Sequence, residues 1–201
     1  MDGVLIDAKE WHYEALNRAL NLFGMEISRY DHLVSYDGLP TRKKLQMLSM
    51  ERGLPEVLHD FINEMKQAYT MEIVFGRCKP VFIHQYALSR LKADGYLLAV
   101  CSNSIRQSIE MMLSKADLLR YLDFYMSNEE VKSPKPNPEM YINSISRLGL
   151  SPDQCLVVED NPNGIKAARE SGAHLLCVTD VMEVTYANIA RRIHELEAKF
   201  A

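Results

Sequence analysis

The sequence predicts an α/β protein in which a doubly wound parallel sheet carries an all-helical insert. After about residue 80, short unbroken apolar runs alternate with helix-length amphipathic segments, a pattern typical of parallel strands and their crossover helices. Before that point the apolar residues show helical spacing only. We therefore expect residues 1–8 and 79–201 to form a sheet-containing core domain, and residues 9–78 to form a helical cap domain.

The first third of the chain predicts helices separated by glycine. Apolar residues recur at helical spacing from 8 to 22, and Gly24 follows as a stop. Two further helices are expected over 41–52, with Thr41 as the capping residue, and over 55–70.

The remainder predicts alternating strands and helices. The apolar runs that predict buried strands are 97–101, 124–126, 155–158 and 175–178. The amphipathic segments that predict helices are 81–94, 105–116, 137–148, 162–171 and 184–199. This order implies βαβ units, and ligands of such sheets bind beyond the carboxyl ends of the strands.

Composition argues against nucleic acids and membranes as partners of this chain. The 201-residue chain has a formal net charge of -4, whereas nucleic-acid binders need basic faces. No apolar run reaches the roughly 20 residues that span a bilayer, and no signal-peptide pattern follows Met1. The cysteines form no C-x-x-C pair, so we expect reduced structural thiols and a cytoplasmic location.

Polar residues follow three of the predicted strands. Ser102 and Asn103 either hold phosphate oxygens at a helix N-terminus or simply cap that helix. Lys135, held between prolines, either neutralises phosphoryl charge or is a solvated loop lysine. Glu159 and Asp160 favour a Mg²⁺ site over a helix cap, because crowded carboxylates are costly without a cation.

Asp2 adds a fourth polar site, and together the four sites resemble the ordered motifs of the haloacid dehalogenase superfamily. Residues 1–7 match its first motif, D-x-D-G-V-[LI]-x-[DE], from the second position onward. The later matches are Ser102, Lys135 in S-P-K-P-N-P, and Glu159 with Asp160 before N-P-N-G-I-K-A-A-R-E-S-G-A. The chain is most similar to the β-phosphoglucomutase-like and phosphoglycolate-phosphatase-like enzymes, over nearly its whole length.

The resemblance implies a Rossmann-like core, a helical cap, Mg²⁺ and a phospho-aspartyl intermediate. It implies that Asp2 is the general acid and base, and that Lys135 stabilises charge on the nucleophile and phosphate. Ser102 and Asn103 would bind the phosphoryl group, together with Lys135. The implied metal ligands are Asp2, Glu159 and Asp160.

The cap residues are assigned from the same resemblance. His12 matches a cap-side histidine in D-x-x-x-x-H, although a helix-surface histidine would give the same pattern. Arg42, in G-L-P-T-R, matches a cap loop whose arginine contacts substrate phosphate. Further candidates for lining the substrate pocket are Trp11, Tyr36, Lys66 and Tyr69.

The chain departs from the family pattern at its first motif. The nucleophilic aspartate would stand one residue before Met1, and the apolar strand that carries it would come earlier still. We expect the natural protein to start upstream of Met1 with such a strand. The chain as written is expected to bind Mg²⁺ and phosphate without turnover, and to leave two strand edges unpaired where the first core strand is missing.

The leading functional hypothesis is a Mg²⁺-dependent phosphatase of a small phosphorylated metabolite, such as a sugar phosphate. A sugar phosphomutase of the β-phosphoglucomutase type is an alternative, since the two differ only in what attacks the phospho-enzyme. A catalytically dead phosphate-binding or regulatory module is a third hypothesis. The missing nucleophile favours the third, whereas the intact motifs at Lys135 and Glu159 argue against it.

Overall fold

A computed structural model describes residues 1–198, and its first part is helical as predicted. The long helices there are α1 (Lys9–Asn21), α2 (Thr41–Arg52) and α3 (His59–Arg77). A short helical turn, Arg29–Asp31, runs into a π-helical segment, His32–Tyr36, that the sequence does not predict. The predicted cap at Thr41 is wrong, because Pro40 occupies the N-cap and no side chain caps α2.

The second part alternates strands and helices. Its elements are α4 (Phe82–Ala93), β1 (Ala99–Cys101), α5 (Arg106–Lys115), β2 (Phe124–Met126), α6 (Glu139–Leu148), β3 (Leu156–Glu159), α7 (Pro162–Glu170), β4 (His174–Cys177) and α8 (Tyr186–Glu197). Each matches a predicted element to within a few residues. The predicted end of the last helix, residue 199, lies outside the described residues.

The strands form two parallel pairs. β1 pairs with β2, with Ala99 opposite Phe124, and β3 pairs with β4, with Leu156 opposite His174. The parallel pairing is as predicted, but no hydrogen bonds join one pair to the other in the described part of the chain. Between the pairs runs an apolar groove of about 680 Å³, lined by residues such as Leu5, Val100 and Val158. We call this feature the strand groove.

The strand groove leaves the strands less buried than their sequences suggest. Val157 and Val158 line this groove and are only half-buried, because no strand among residues 1–198 lies between the facing edges of β1 and β3. Residues 1–6 instead form a tight turn, in which the Met1 carbonyl accepts the amides of Leu5 and Ile6. This turn places Asp2 at the carboxyl end of β1.

The described residues contain two large hydrophobic clusters and a small one. One large cluster, from Leu16 to Ile62, joins α1, α2 and α3. The other large cluster joins residues 1–8 to the strands and the later helices, and it includes Val74 of α3. In residues 1–198, no helix is both long and apolar enough to cross a bilayer.

Candidate active site

A cleft of about 530 Å³ separates the helical part from the carboxyl ends of the strands. Its lining includes Asp2, Asn103 and Asp160 from the strand side and His12, Arg42 and Lys66 from the helical side. Ser102, Lys135 and Glu159 lie buried behind the strand side. The structure therefore brings all four predicted polar sites to one edge of the fold.

Ser102 links the end of β1 to Asp2. Its backbone amide continues the pairing with β2 by donating to the Met126 carbonyl at 3.1 Å. Its hydroxyl donates to Asp2 Oδ2 at 3.2 Å and accepts the Ser104 amide at 3.1 Å. The Ser102 hydroxyl is therefore directed at Asp2, the predicted general acid. The backbone hydrogen bond to Met126 and the hydrogen bond from the Ser104 amide hold it in that position.

Lys135 is positioned by a buried ion pair. Its Nζ lies 2.6 Å from Glu159 Oε1, and the Tyr141 hydroxyl donates a short hydrogen bond to the same oxygen. Burial alone would raise the pKa of Glu159, but the Lys135 charge and these hydrogen bonds hold it below its usual value. Burial and the Glu159 charge raise the pKa of Tyr141 well above normal, so Tyr141 remains a donor.

Glu159 therefore faces Lys135 rather than the cleft. Its Oε1 is engaged by Lys135 and Tyr141, and its Oε2 accepts the Asp160 amide at 3.3 Å. This carboxylate orients its neighbours through hydrogen bonds in the described structure.

Asn103 joins the strand loops to the helical part. Its Nδ2 donates to the carbonyls of Lys135 (2.9 Å) and Gly38 (3.1 Å), and its Oδ1 accepts the Lys135 amide at 3.0 Å. Both polar atoms of this side chain are thus engaged by backbone, which fixes Lys135 and the loop at Gly38 in place.

Asp2 faces His12 across the cleft. The His12 Nε2 lies 3.5 Å from Asp2 Oδ1, and Lys66 Nζ lies 3.3 Å from His12 Nδ1. Burial and the Lys66 charge lower the pKa of His12, which favours the neutral imidazole. Burial opposes ionisation of Asp2, but His12 and the Ser102 hydroxyl together hold its pKa well below the usual value.

Asp160 presents carboxylate oxygens that suit a cation. Among the described residues, no hydrogen-bond donor contacts Asp160 Oδ1 or Asp2 Oδ1, although both atoms are buried. The Lys9 ammonium lies 2.7 Å from Asp160 Oδ2 as an ion pair. Gly3, at φ 75°, lets the backbone approach this carboxylate, since a Cβ there would lie 2.1 Å from Asp160 Oδ2.

The described residues contain no group of three His, Cys, Asp or Glu side chains able to hold a metal ion. Mg²⁺ nevertheless needs only one or two protein carboxylates, because it keeps waters and binds substrate phosphate. The Oδ1 atoms of Asp2 and Asp160, which accept no hydrogen bond among the described residues, fit that requirement.

The helical side of the cleft holds a buried lysine that sequence reasoning missed. Arg42 is exposed at the cleft, whereas Lys44, one helical turn onward from Thr41, is 6% exposed and lines the cleft. It shares the buried face of α2 with Leu45 and Leu48, but the apolar pattern of α2 does not say which part of the molecule that face meets.

Three of the expected pocket residues lie elsewhere. Tyr36 belongs to the helical cluster and donates to Glu51, and Tyr69 packs against the same cluster beneath Arg18. Trp11 packs against the cluster that contains the strands. Of this group, Lys66 lines the cleft as expected.

Comparison with known proteins shows that this sequence is similar to those of hydrolases. The sequence profile described as haloacid dehalogenase-like hydrolase matches residues 1–178. A phosphorylated carbohydrates phosphatase of Thermotoga maritima is 28% identical, covering 86% of this chain and 79% of that protein. A phosphoglycolate phosphatase of Nitrosospira multiformis is 33% identical, covering 89% and 80%.

A solved structure shares the fold. The β-phosphoglucomutase of Clostridium difficile superposes with a TM-score of 0.83, at 20% identity, over 98% of this chain and 96% of that one. At that identity the similarity shows the fold alone, namely an α/β core with a helical insert.

Proposed function

This chain belongs to the haloacid dehalogenase-like hydrolase family, and we propose that it is a Mg²⁺-dependent phosphatase of a small phosphorylated metabolite, such as a sugar phosphate. The supporting observation is the single cleft edge at which Asp2, Ser102 and Asp160 meet the buried Lys135–Glu159 pair. Relatives named as phosphatases, including one for phosphorylated carbohydrates, support the reaction class.

Each residue has a role that its contacts support. Ser102 would donate its hydroxyl to a phosphoryl oxygen, and Lys135, fixed by Glu159, would neutralise developing charge. Asp2 would move the proton of the leaving or attacking oxygen, with His12 beside it. Asp2 and Asp160 would hold Mg²⁺, which supplies positive charge to the transferring group when bound.

The helical residues 9–78 would act as the cap of a cytoplasmic enzyme. The loop at Gly38 already contacts the strand side through Asn103, and Asp37 accepts a hydrogen bond from Asn161 at 3.0 Å. Such contacts would shield the reacting group from bulk water. The free cysteines fit a reducing compartment.

The test uses the 201-residue chain beside a protein extended before Met1 by an apolar strand ending in aspartate, which would form the phospho-aspartyl intermediate. We expect the extended protein to release phosphate from a panel of phosphorylated sugars and acids only with Mg²⁺, and the shorter chain to bind without turnover. In the extended protein, Ser102→Ala should lower the rate about 10²-fold or more, while the exposed Ser146→Ala should not. Metal-independent release, or full activity in Asp160→Asn, would refute the proposal.

The cap contacts also favour a second candidate, a sugar phosphomutase, because a closed cleft excludes water from a phospho-enzyme. Phosphorus NMR of the same reactions separates the two functions. Free phosphate indicates a phosphatase, whereas a new sugar phosphate without phosphate release indicates a mutase. Binding without either product would indicate a phosphate-binding module.

A further inference from the structure

The ammonium of Lys9 lies against a carboxylate that the proposed function assigns to Mg²⁺. Lys9 is the first residue of α1, and its Nζ lies 2.7 Å from Oδ2 of Asp160, the residue directly after β3. Within residues 1–198, no other basic side chain lies at ion-pair distance from Asp160. The ion pair therefore joins the start of the helical part to the end of a strand.

The two partners of this ion pair differ in their freedom to move. The Asp160 side chain is 1% exposed, and Gly3 packs so closely that a Cβ there would also lie 2.8 Å from Lys9 Cε. The Lys9 side chain is 36% exposed, in contrast to the 9% of Lys135 in its pair with Glu159. Because lysine has a flexible four-carbon stem, Lys9 is able to leave the pair toward water, whereas Asp160 is not.

Helix α1 does not favour a lysine at its first position. The first turn of a helix carries a positive partial charge, which disfavours a cation there. No side chain caps α1, since Ala8 occupies the N-cap. The contact with Asp160 offsets this unfavourable placement of Lys9. If another cation neutralised Asp160, the offset would be removed and the ammonium would gain from moving away.

Mg²⁺ and the Lys9 ammonium compete for the same carboxylate. A buried carboxylate is costly without a counter-ion, and Lys9 supplies one while no metal is bound. A divalent ion bound to Asp160 would lie within a few ångströms of this ammonium, where like charges repel strongly in a partly buried site. The two cations therefore exclude each other.

We propose that Lys9 is a built-in counter-ion that Mg²⁺ must displace from Asp160, so that Lys9 sets the metal affinity of the site. Binding of the metal then breaks the ion pair between α1 and the end of β3. This inference rests on the proposed function, which assigns Mg²⁺ to Asp2 and Asp160. Lys9 is a positioning residue, because its effect on the site passes through Asp160.

The experiment follows thermal melting of the 201-residue chain in EDTA and at increasing MgCl₂, with NaCl holding the ionic strength constant. A ligand that binds the folded state raises the melting temperature by mass action, so the series gives the Mg²⁺ dissociation constant of each protein. Titration calorimetry with MgCl₂ checks that value. The variants are Lys9→Met and Lys9→Gln, which remove the charge, and Lys9→Arg, which keeps it. The matched control is Lys43→Met, which removes an exposed lysine that also lines the cleft.

We expect Lys9→Met and Lys9→Gln to bind Mg²⁺ at least about 10-fold more tightly than the unaltered chain, because the competing charge is gone. Their gain in melting temperature between EDTA and saturating MgCl₂ should also be larger, since in EDTA they leave Asp160 without a counter-ion. Lys9→Arg should bind Mg²⁺ like the unaltered chain. Lys43→Met should stay within about 2-fold of it, because solvent and salt screen an exposed charge.

The inference is refuted if the neutral Lys9 variants bind Mg²⁺ no more tightly than the unaltered chain, or if Lys43→Met gains as much affinity as Lys9→Met. An equal gain in Lys9→Arg would also refute it, because packing and not charge would then be the cause. Failure of the proposed function gives a different result, in which the neutral variants still bind Mg²⁺ more tightly but the extended protein releases no phosphate. Absence of Mg²⁺ binding in every protein would refute both proposals.

Discussion

Lys135 and Glu159 show how single residues control this site. Their side chains are 9% and 4% exposed, so both charges have been removed from water. Buried pairs of this kind gain little net stability, but losing one partner leaves an uncompensated charge. The main effect of the ion pair is therefore to position the Lys135 ammonium. This group lies 3.3 Å from the Cys101 carbonyl oxygen.

Lys135→Met should destabilise the protein by about 3–5 kcal/mol, because Glu159 would remain buried without its cation. Urea denaturation gives the free energy of unfolding. The control is Lys166→Met, which removes an exposed partner of Glu170 and should cost less than about 1 kcal/mol. Equal losses in the two variants would contradict the buried-pair interpretation.

Lys44 and Lys66 should make stability depend on alkaline pH. Their folded pKa values, about 8 and about 7, lie below the ordinary lysine value of 10.5. Above pH 7 the unfolded chain therefore binds more protons than the folded chain, and stability rises with pH. The free energy of unfolding should increase by about 1–2 kcal/mol per pH unit between pH 7 and 9.

Urea denaturation across that range measures the slope. The double variant Lys44→Met/Lys66→Met should be more stable at pH 7 and show a flatter dependence. A slope that is unchanged in the double variant would show that other groups cause it.

At the scale of elements, the loop before α2 joins the helical part of the chain to the strand ends. Gly38 has φ 71°, and a Cβ at this position would lie 2.5 Å from Asn161 Oδ1. The Gly38 carbonyl also accepts the Asn103 amide. This glycine is thus required both by backbone conformation and by close approach.

Gly38→Ala should separate the loop from the strand side. Gly53 provides a matched control, because it has φ 70° but open space around its Cβ position. Gly53→Ala should cost about 1–2 kcal/mol from left-handed strain alone, whereas Gly38→Ala should cost about 1 kcal/mol more for each lost hydrogen bond. If urea denaturation gave equal losses of unfolding free energy in the two variants, the close approach of Gly38 to Asn161 would contribute nothing to stability.

Sequence periodicity predicted α2 and β2 to the residue, because each carries a regular apolar pattern bounded by turns. It missed the π-helical segment His32–Tyr36, whose apolar residues follow neither the helix nor the strand period. Motif matching found Asp2, Ser102, Lys135 and Asp160, which lie at strand ends and loops.

The same reasoning could not identify Lys44 or the Lys9–Asp160 pair. Which of the successive basic residues in T-R-K-K faces the cleft depends on how α2 is rotated against its neighbours. The Lys9–Asp160 contact joins residues distant in sequence, and only tertiary packing decides it.

At the scale of the whole molecule, the strand groove separates two parallel strand pairs, and no strand within residues 1–198 pairs with their facing edges. Apolar residues such as Leu5 and Val158 line it. An extended apolar segment lying in this groove would satisfy both edges and bury both faces.

Joining five alternating valines and isoleucines, through an aspartate, ahead of Met1 should therefore stabilise the protein. Burial of each such side chain contributes about 1.5–3 kcal/mol. Urea denaturation and reduced binding of an apolar fluorescent dye would show the effect. The same extension with serine and asparagine instead should give no gain, and a gain from both sequences would contradict docking in the groove.

Helix α3 has 19 residues, so it is about 28 Å long. It carries Ile62 in the helical cluster, Lys66 at the cleft and Val74 in the cluster beneath the strands. This one helix therefore contacts both hydrophobic clusters and also the cleft between them. A ligand bound in the cleft beside Lys66 would consequently slow amide hydrogen exchange as far away as Val74, in a part of the fold that the ligand never contacts.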